Sequence, residues 1–164
     1  MITGSLAGNL HGIPRATQDA DVVIEPSRSQ IEQFLANLGQ DFYANLESAR
    51  EAVSSRGMFN VIHLGTGFKI DLIVRKSRPF SHEEFSRRRT AMVSGRARWF
   101  ATPEDVILSK LEWSTMGNSE RQYLDALNVA RVQGEALDRA YLERWAAEQG
   151  VGVLLQRLLS ELFS

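Results

Sequence analysis

Residues 15–24 read RATQDADVVI, in which two carboxylates one residue apart lead into a run of β-branched residues. A short β-branched run that is followed by a proline is typical of a strand. Because side chains alternate between the faces of a strand, Asp19 and Asp21 project from the same side. Two such anionic groups repel each other unless a cation lies between them. Mg2+ binds one or two carboxylates and completes its shell with water and phosphate oxygens. The segment therefore predicts metal-dependent chemistry on a nucleotide.

The pair Gly4-Ser5 precedes this segment and opens a short helix predicted over residues 6–11, with Gly12 as its C-terminal stop. A helix N-terminus attracts anions through its free N–H groups and its dipole. We therefore expect the backbone of Gly4 and Ser5, together with the Ser5 hydroxyl, to hold a triphosphate.

The composition indicates an ordinary globular chain. Of its 164 residues 43% are apolar, which is enough for one core or for a small α/β unit with a helical extension. The formal net charge is -1, so any site for a polyanion has to be a local patch. The absence of cysteine excludes disulfides, thiolate zinc sites and thiol catalysis. No apolar run is long enough to span a bilayer, and we expect a cytoplasmic protein with no membrane partner.

Helices and strands alternate up to residue 101. The apolar spacing and the turn residues predict these elements. They are a strand over residues 20–25, a helix that Ser27 or Ser29 caps and Gly39 stops, a strand at 42–43, a helix over 46–53, strands over 59–64 and 68–74, a helix over 81–89 and an extended segment over 92–101.

The clearest predicted hairpin has a three-residue turn, Gly65-Thr66-Gly67. This turn pairs His63 with Lys69 and places both on the face of Asp71. We expect that face to border the active cleft. The opposite face is expected to be buried against helices, and its side chains are Ile62, Leu64, Ile70, Leu72 and Val74.

Residues 102–164 are predicted to form a helical subdomain that packs on a catalytic unit of residues 1–101. Caps, stops and apolar stripes predict four helices in it. They are a helix from Thr102 to Gly117, a helix opened by a capping box at Ser119-Glu120-Arg121-Gln122 that runs towards Gln133, a helix capped by Asp138, and a helix over residues 151–163.

Five motifs, in this order, resemble the DNA polymerase β-like nucleotidyltransferase superfamily, in its minimal bacterial branch related to the AbiEii-type toxins. They are Gly4-Ser5, Arg15-x-Thr17-x-Asp19-x-Asp21, Lys69-Ile70-Asp71, the segment from Thr102 to Lys110, and Arg121-x-x-x-Asp125. Each motif alone is weak, but together they cover most of the chain. The resemblance implies an α+β fold in two layers, with a mixed β-sheet backed by helices and a C-terminal helical subdomain. It also implies a longer N-terminal lead, so we expect the reading frame to begin upstream of Met1.

Both the residue types and the resemblance assign roles to the motif residues. Asp19, Asp21 and Asp71 are the candidate metal ligands and catalytic residues, and the cofactor is Mg2+ or Mn2+. The candidate nucleotide-binding residues are Gly4, Ser5, Arg15, Thr17, His63 and Lys69. The resemblance adds Lys110 and Asp125 as catalytic residues, with Lys110 contacting a phosphate or the nucleotide and Asp125 orienting it.

The leading hypothesis is a Mg2+-dependent nucleotidyltransferase that moves a nucleoside monophosphate from a nucleoside triphosphate to an acceptor. RNA, a protein and a small molecule all stay open as the acceptor. The resemblance implies phage defence or a toxin–antitoxin pair, with an antitoxin protein as partner. One alternative is a catalytically inactive nucleotide-binding regulator. Another is an aminoglycoside-type small-molecule nucleotidyltransferase, for which Glu112 and Glu120 are available as an acidic pocket.

Several of these residues also have a plain structural interpretation. Lys110 and Asp125 are equally well explained as an interhelical salt bridge, and a single histidine such as His63 is more often structural than catalytic. Five arginines, at positions 87–89, 96 and 98, bind RNA or a triphosphate in one interpretation. We favour the other, in which they form a solvated face.

Overall fold

The computed structural model describes residues 1–162, which form one seven-stranded mixed sheet and eight α-helices. The strands are β1 (Ile2–Thr3), β2 (Asp19–Ile24), β3 (Phe42–Ala44), β4 (Met58–His63), β5 (Lys69–Val74), β6 (Arg89–Val93) and β7 (Arg96–Phe100). The helices are α1 (Gly4–His11), α2 (Arg28–Ala36), α3 (Leu46–Ser55), α4 (Pro79–Arg87), α5 (Pro103–Gly117), α6 (Glu120–Gln133), α7 (Arg139–Glu148) and α8 (Gly152–Leu162), with a 3-10 turn at Gly134–Ala136. The predicted two-layer α+β fold with a mixed sheet is confirmed. The predicted end of the last helix, Phe163, lies outside the described residues.

The sheet has the strand order β3-β4-β5-β2-β1-β7-β6. Its centre is the parallel pair of β2 and β5, and β1 runs antiparallel to β2 and parallel to β7. The remaining pairs, β3 with β4, β4 with β5 and β6 with β7, are antiparallel. This topology places the strand with the paired carboxylates beside the strand that carries Asp71.

Two apolar clusters form the core. One lies between β4, β5 and the helices α2 and α3, and it includes Phe59 and Val61. The other contains residues of all four helices from α5 through α8, together with Ala7, Phe80 and Phe100 from earlier in the chain. The second cluster therefore crosses the boundary predicted after residue 101, and the division into two units stays a prediction. Within residues 1–162, no helix is long and apolar enough to cross a membrane.

The predicted register of the β4–β5 hairpin is wrong by one residue. Ile62 pairs with Lys69, and the N–H of His63 donates to the carbonyl of Phe68 at 2.9 Å, so four residues form the turn. The turn closes this way because the N–H groups of Thr66 and Gly67 both donate to the carbonyl of His63.

A one-residue shift moves every side chain of a strand to the other face. His63 consequently lies on the face opposite Lys69 and Asp71. The residues of β4 that enter the core are Phe59 and Val61, whereas Ile62 shares the face of Lys69 and Leu64 is 62% exposed.

The extended segment predicted over residues 92–101 is in fact part of a second hairpin. β6 begins at Arg89, where a helix had been predicted to end, and it turns at Ser94-Gly95 into β7. Both turn residues have positive φ, 49° and 74°, as a two-residue turn of type I′ requires.

The predicted helix caps are confirmed at three of four positions. The side chains of Ser27, Thr102 and Asp138 each accept a hydrogen bond from a backbone N–H in the first turn of α2, α5 and α7. The capping box predicted at Ser119 is wrong, because Ser119 makes no such bond and the side chain of Gln122 instead accepts from Lys110.

A buried carboxyl group on α4 predicts how stability depends on pH. Burial, and then the charge of Asp105, raises the pKa of Glu84 to about 8. The unfolded chain loses this proton near the ordinary value of 4.5, so the free energy of unfolding falls as pH rises from about 4.5 to about 8. We expect Glu84→Gln to be more stable than the wild type at pH 8 and to have a flatter pH profile. Urea unfolding at pH 5 and pH 8 measures both, with the exposed Glu51→Gln as control, and a wild-type stability that does not change over this range contradicts the prediction.

Candidate active site

Three carboxylates lie on one face at the centre of the sheet. The parallel register of β2 and β5 pairs Asp21 with Asp71 and Asp19 with Lys69. Register partners share a face, and so do residues two apart on one strand. All four charged residues therefore lie on one face. Thr3, on the neighbouring strand β1, pairs with Asp21 and lies on the same face.

Two of these carboxylates already have partners. The Thr17 hydroxyl donates to Asp19 Oδ1 at 2.5 Å, and Lys69 Nζ donates to Asp71 Oδ2 at 2.7 Å. The bond to Asp71 raises the pKa of Lys69. Burial, and then the charges of Asp19 and Asp71, raises the pKa of Asp21. The negative charge at Asp21 is therefore not balanced by the cations of the site, because Lys69 is paired with Asp71.

The oxygen donors of this site are of the type that binds a hard divalent cation, although the three side chains are not already arranged around a common metal position. Carboxylate oxygens are the ligands that Mg2+ prefers. Asp71 is buried, and its Oδ1 has no hydrogen-bond partner in the described part of the chain. A cation beside Asp21 would also relieve the repulsion that raises its pKa. Within residues 1–162, however, no three His, Cys, Asp or Glu side chains are arranged to hold a metal ion.

The first residue of α1 lies directly against Asp21. Gly4 has a φ of +57°, and a Cβ built on it would come within 1.9 Å of Asp21 Oδ2. Glycine is therefore required both by the backbone conformation and by the space. The helix begins at Gly4, two residues before the predicted start, so its N-terminal end lies beside Asp21.

A second polar cluster links α1, α5 and α6. Arg15 donates from Nε and Nη2 to the two carboxylate oxygens of Asp125 at 2.9 and 2.7 Å, and also from Nη2 to Ser5 Oγ at 3.0 Å. Lys110 Nζ donates to Asp125 Oδ2 at 2.8 Å and to Gln122 Oε1 at 3.1 Å. Asp125 thus bridges both cations.

Burial and charge oppose each other within this cluster. Burial lowers the pKa of Lys110, which is only 3% exposed, and Asp125 partly restores it. Burial also raises the pKa of Asp125, but the hydrogen bonds from Arg15 and Lys110 hold its net pKa below the ordinary value. The charge of Lys110 in turn offsets part of the rise in the pKa of Asp21 that burial causes, which couples the two clusters.

A narrow cleft lies at this second cluster. It is lined by Ser5, Gly8, Asn9, Ile13, Arg15, Lys110, Asp125 and Asn128. Asn9 shapes its wall, because its side-chain amide donates to the carbonyl of Arg15 at 2.7 Å and its oxygen accepts from the N–H of Arg15 at 3.0 Å. The cleft is therefore polar and positively charged beside the N-terminus of α1.

The Asp125 bridge predicts a loss of stability when its charge is removed. Asp125→Asn keeps one acceptor oxygen but leaves Lys110 or Arg15 with a poorer partner, and we expect it to cost about 2 kcal/mol at pH 7. The folded pKa of Asp125 lies below the unfolded value, so its stabilisation is present above pH 3.8 and is lost as pH falls through the folded value. Urea unfolding at pH 7 and pH 3 tests this, and an equal cost at both pH values contradicts it.

The structure separates one predicted residue from the others. His63 contacts Thr66 through Nδ1 at 2.9 Å and packs edge-on against Phe42, with 5.0 Å between the ring centroids. The prediction that His63 shares a face with Lys69 and Asp71 is therefore wrong, for the register reason given above, and its nucleotide-binding role stays a prediction without that support. Sequence reasoning also missed Asn9 and Gln122. Gln122 had been used for a capping box, and no local signal marks Asn9.

No model of a known protein family matches the chain, and no curated protein matches it. Among solved structures, the chain is similar to one titled "Crystal structure of JHP933 from Helicobacter pylori". The two are 14% identical, the match covers 99% of this chain and 84% of that chain, and the TM-score is 0.47. A similarity of this size carries no argument about function.

Proposed function

We propose that this chain is a Mg2+-dependent nucleotidyltransferase of the DNA polymerase β-like superfamily. It transfers a nucleoside monophosphate from a nucleoside triphosphate to an acceptor hydroxyl, and pyrophosphate leaves. The observation that carries the proposal is the register that puts Asp71 beside Asp21 and on the face of Asp19, while Asp21 itself lies against Gly4, the first residue of α1. Carboxylates next to an anion-binding helix terminus suit a metal–triphosphate complex.

Each residue then has a task that follows from its position. The N–H groups at Gly4 and Ser5 bind the β- and γ-phosphates through the N-terminal end of α1. Arg15 lies 3.0 Å from the Ser5 hydroxyl, so its planar guanidinium is placed to contact a phosphate oxygen beside Ser5. Lys110 adds positive charge beside Arg15, because both donate to Asp125 Oδ2, and Asp125 holds it there.

The carboxylates of Asp19 and Asp21, with Asp71, would hold the Mg2+. When bound, this ion neutralises the triphosphate and lowers the pKa of the attacking hydroxyl. Asp71 Oδ1 would accept the proton that the attacking hydroxyl group loses. This oxygen is buried and has no hydrogen-bond partner in the described part of the chain. Lys69 orients Asp71 through the bond to its other oxygen.

One observation favours a second candidate, a nucleotide-binding regulator without turnover. Lys69 already neutralises Asp71, so the third carboxylate needs no metal ion to be stable in the fold. A protein of this kind would bind a triphosphate at the α1 terminus and transfer nothing.

Two measurements on the wild type separate the candidates. The protein is incubated with each radiolabelled nucleoside triphosphate, Mg2+ and either total RNA or a cell lysate, and incorporation of label is followed. Binding of the same triphosphates is measured by calorimetry. Transfer to any acceptor supports the enzyme, whereas binding without transfer supports the regulator. Absence of both contradicts the two proposals together.

The wider setting is also a proposal. The lack of cysteine and the need for nucleoside triphosphates support a cytoplasmic site of action. The resemblance to the AbiEii-type branch supports a defence or toxin role, with an antitoxin protein as partner and RNA, a protein or a small molecule as acceptor.

A further inference from the structure

The β6–β7 hairpin carries a local excess of positive charge. Residues 88–100 read RRTAMVSGRARWF, which contains four arginines and neither aspartate nor glutamate, in a chain with a net charge of -1. Only Phe100 of this hairpin pairs with β1, and β6 is the last strand of the sheet. The hairpin therefore extends beyond the neighbouring strand as an arm that is anchored in the core at Phe100.

The arginines of this arm lack the carboxylate partners that several other arginines of the chain have. Arg15 and Arg78, for example, each hold a carboxylate. Within residues 1–162, the arginines of the arm form no salt bridge, and three of them are exposed. They are Arg88, Arg89, Arg96 and Arg98, of which Arg88 is the partly buried one. Unpaired charge of one sign in so short a segment attracts a polyanion.

The register gives the arm two different faces. Arg89, Arg96 and Arg98 share one face, because Ala91 pairs with Arg98 and Val93 with Arg96. The other face carries Met92 and Trp99, which are 69% and 50% exposed. The guanidinium of Arg88 lies 5.0 Å from the Trp99 ring. The hairpin thus offers an exposed indole on one face and three exposed arginines without carboxylate partners on the other, and together such groups bind the bases and phosphates of a single nucleic-acid strand.

We propose that the β6–β7 arm binds a single strand of nucleic acid that passes around the free edge of β6, with phosphates on Arg89, Arg96 and Arg98 on one face and a base stacked on Trp99 on the other. An acidic peptide would satisfy the arginines but has no use for the exposed indole, so the nucleic acid is the better fit. This inference does not rest on the proposed chemistry, because the arm binds without triphosphate or metal.

The test is fluorescence anisotropy with labelled oligouridylate and oligothymidylate of about 12 nucleotides, in EDTA, at about 50 to 200 mM salt. The affinity of the wild type for at least one oligonucleotide should fall as the salt concentration rises. A plot of the logarithm of the binding constant against the logarithm of the salt concentration should have a slope of about -2 for three phosphate contacts. The variant Arg89→Gln/Arg96→Gln/Arg98→Gln should bind at least about tenfold more weakly and lose most of that slope. Trp99→Ala should also bind about tenfold more weakly but keep the slope.

The control removes the same charge elsewhere, as Arg28→Gln/Lys76→Gln/Arg131→Gln, at three exposed positions. It should bind like the wild type, and thermal melting should find both triple variants folded. Equal losses in the two triple variants, or a wild type that binds no oligonucleotide, overturn the proposal. Tighter binding of a labelled polyglutamate peptide than of either oligonucleotide also overturns it and indicates an acidic protein partner instead.

Discussion

Asp21→Asn is expected to reduce nucleotidyl transfer by at least about a hundredfold while the protein stays folded. Removal of groups that only support a metal ligand costs about 10- to 100-fold, and loss of the ligand itself costs more. Asn is nearly isosteric, and it removes a charge that burial, Asp19 and Asp71 disfavour. The variant should therefore unfold at an equal or higher urea concentration than the wild type.

This pairing of lost transfer with retained stability separates a functional carboxylate from a structural one. A structural Asp21 would give the opposite result, with transfer intact or lost only through unfolding. Asp41→Asn is the matched control, because Asp41 is exposed and lies outside both polar clusters. Incorporation of labelled nucleotide and urea unfolding are measured on all three proteins. Transfer by Asp21→Asn at the wild-type rate would contradict the metal-site proposal.

Gly4→Ala is expected to destabilise the fold by about 3 kcal/mol. A non-glycine residue in the left-handed region costs about 1–2 kcal/mol, and forcing a methyl group into a packed site costs a further 1–3 kcal/mol. Here the methyl group meets Asp21 Oδ2, so either the carboxylate or the start of α1 has to move. We expect triphosphate binding to weaken as well, because both groups belong to the proposed site.

Gly67→Ala separates the two contributions to this cost. Gly67 also has a positive φ, 69°, but a Cβ there has nothing within 4 Å. It should cost only about 1 kcal/mol in urea unfolding. In an Asp21→Ala background the carboxylate oxygen is gone, so the cost of Gly4→Ala should fall by more than about 1 kcal/mol. An unchanged cost in that background would show that the contact with Asp21 is not the cause.

Periodicity predicted the parts of the site that depend on one strand or one helix. The alternation of side chains put Asp19 and Asp21 on one face, and Thr102 and Asp138 were recognisable as caps from their own side chains. These features follow from neighbours within a few residues, and such neighbours are visible in the sequence.

The register of β4 against β5 could not be predicted in this way. Both faces of β4 carry apolar residues, Phe59 and Val61 on one and Ile62 on the other, so hydrophobicity does not choose between them. The choice is made by hydrogen bonds in the turn. The bond between Arg15 and Asp125 could not be predicted either. The sequence suggested that Arg15 contacts a phosphate, but the type of a side chain does not specify which distant residue it bonds.

The bond between Arg15 and Asp125 joins residues 110 positions apart. A ribosome therefore has to reach Asp125, within α6, before this wall of the cleft exists, and folding during synthesis leaves the cleft open until that helix emerges. The pocket is thus completed only after every strand of the sheet has been synthesised, and a chain that is interrupted before Asp125 never has it.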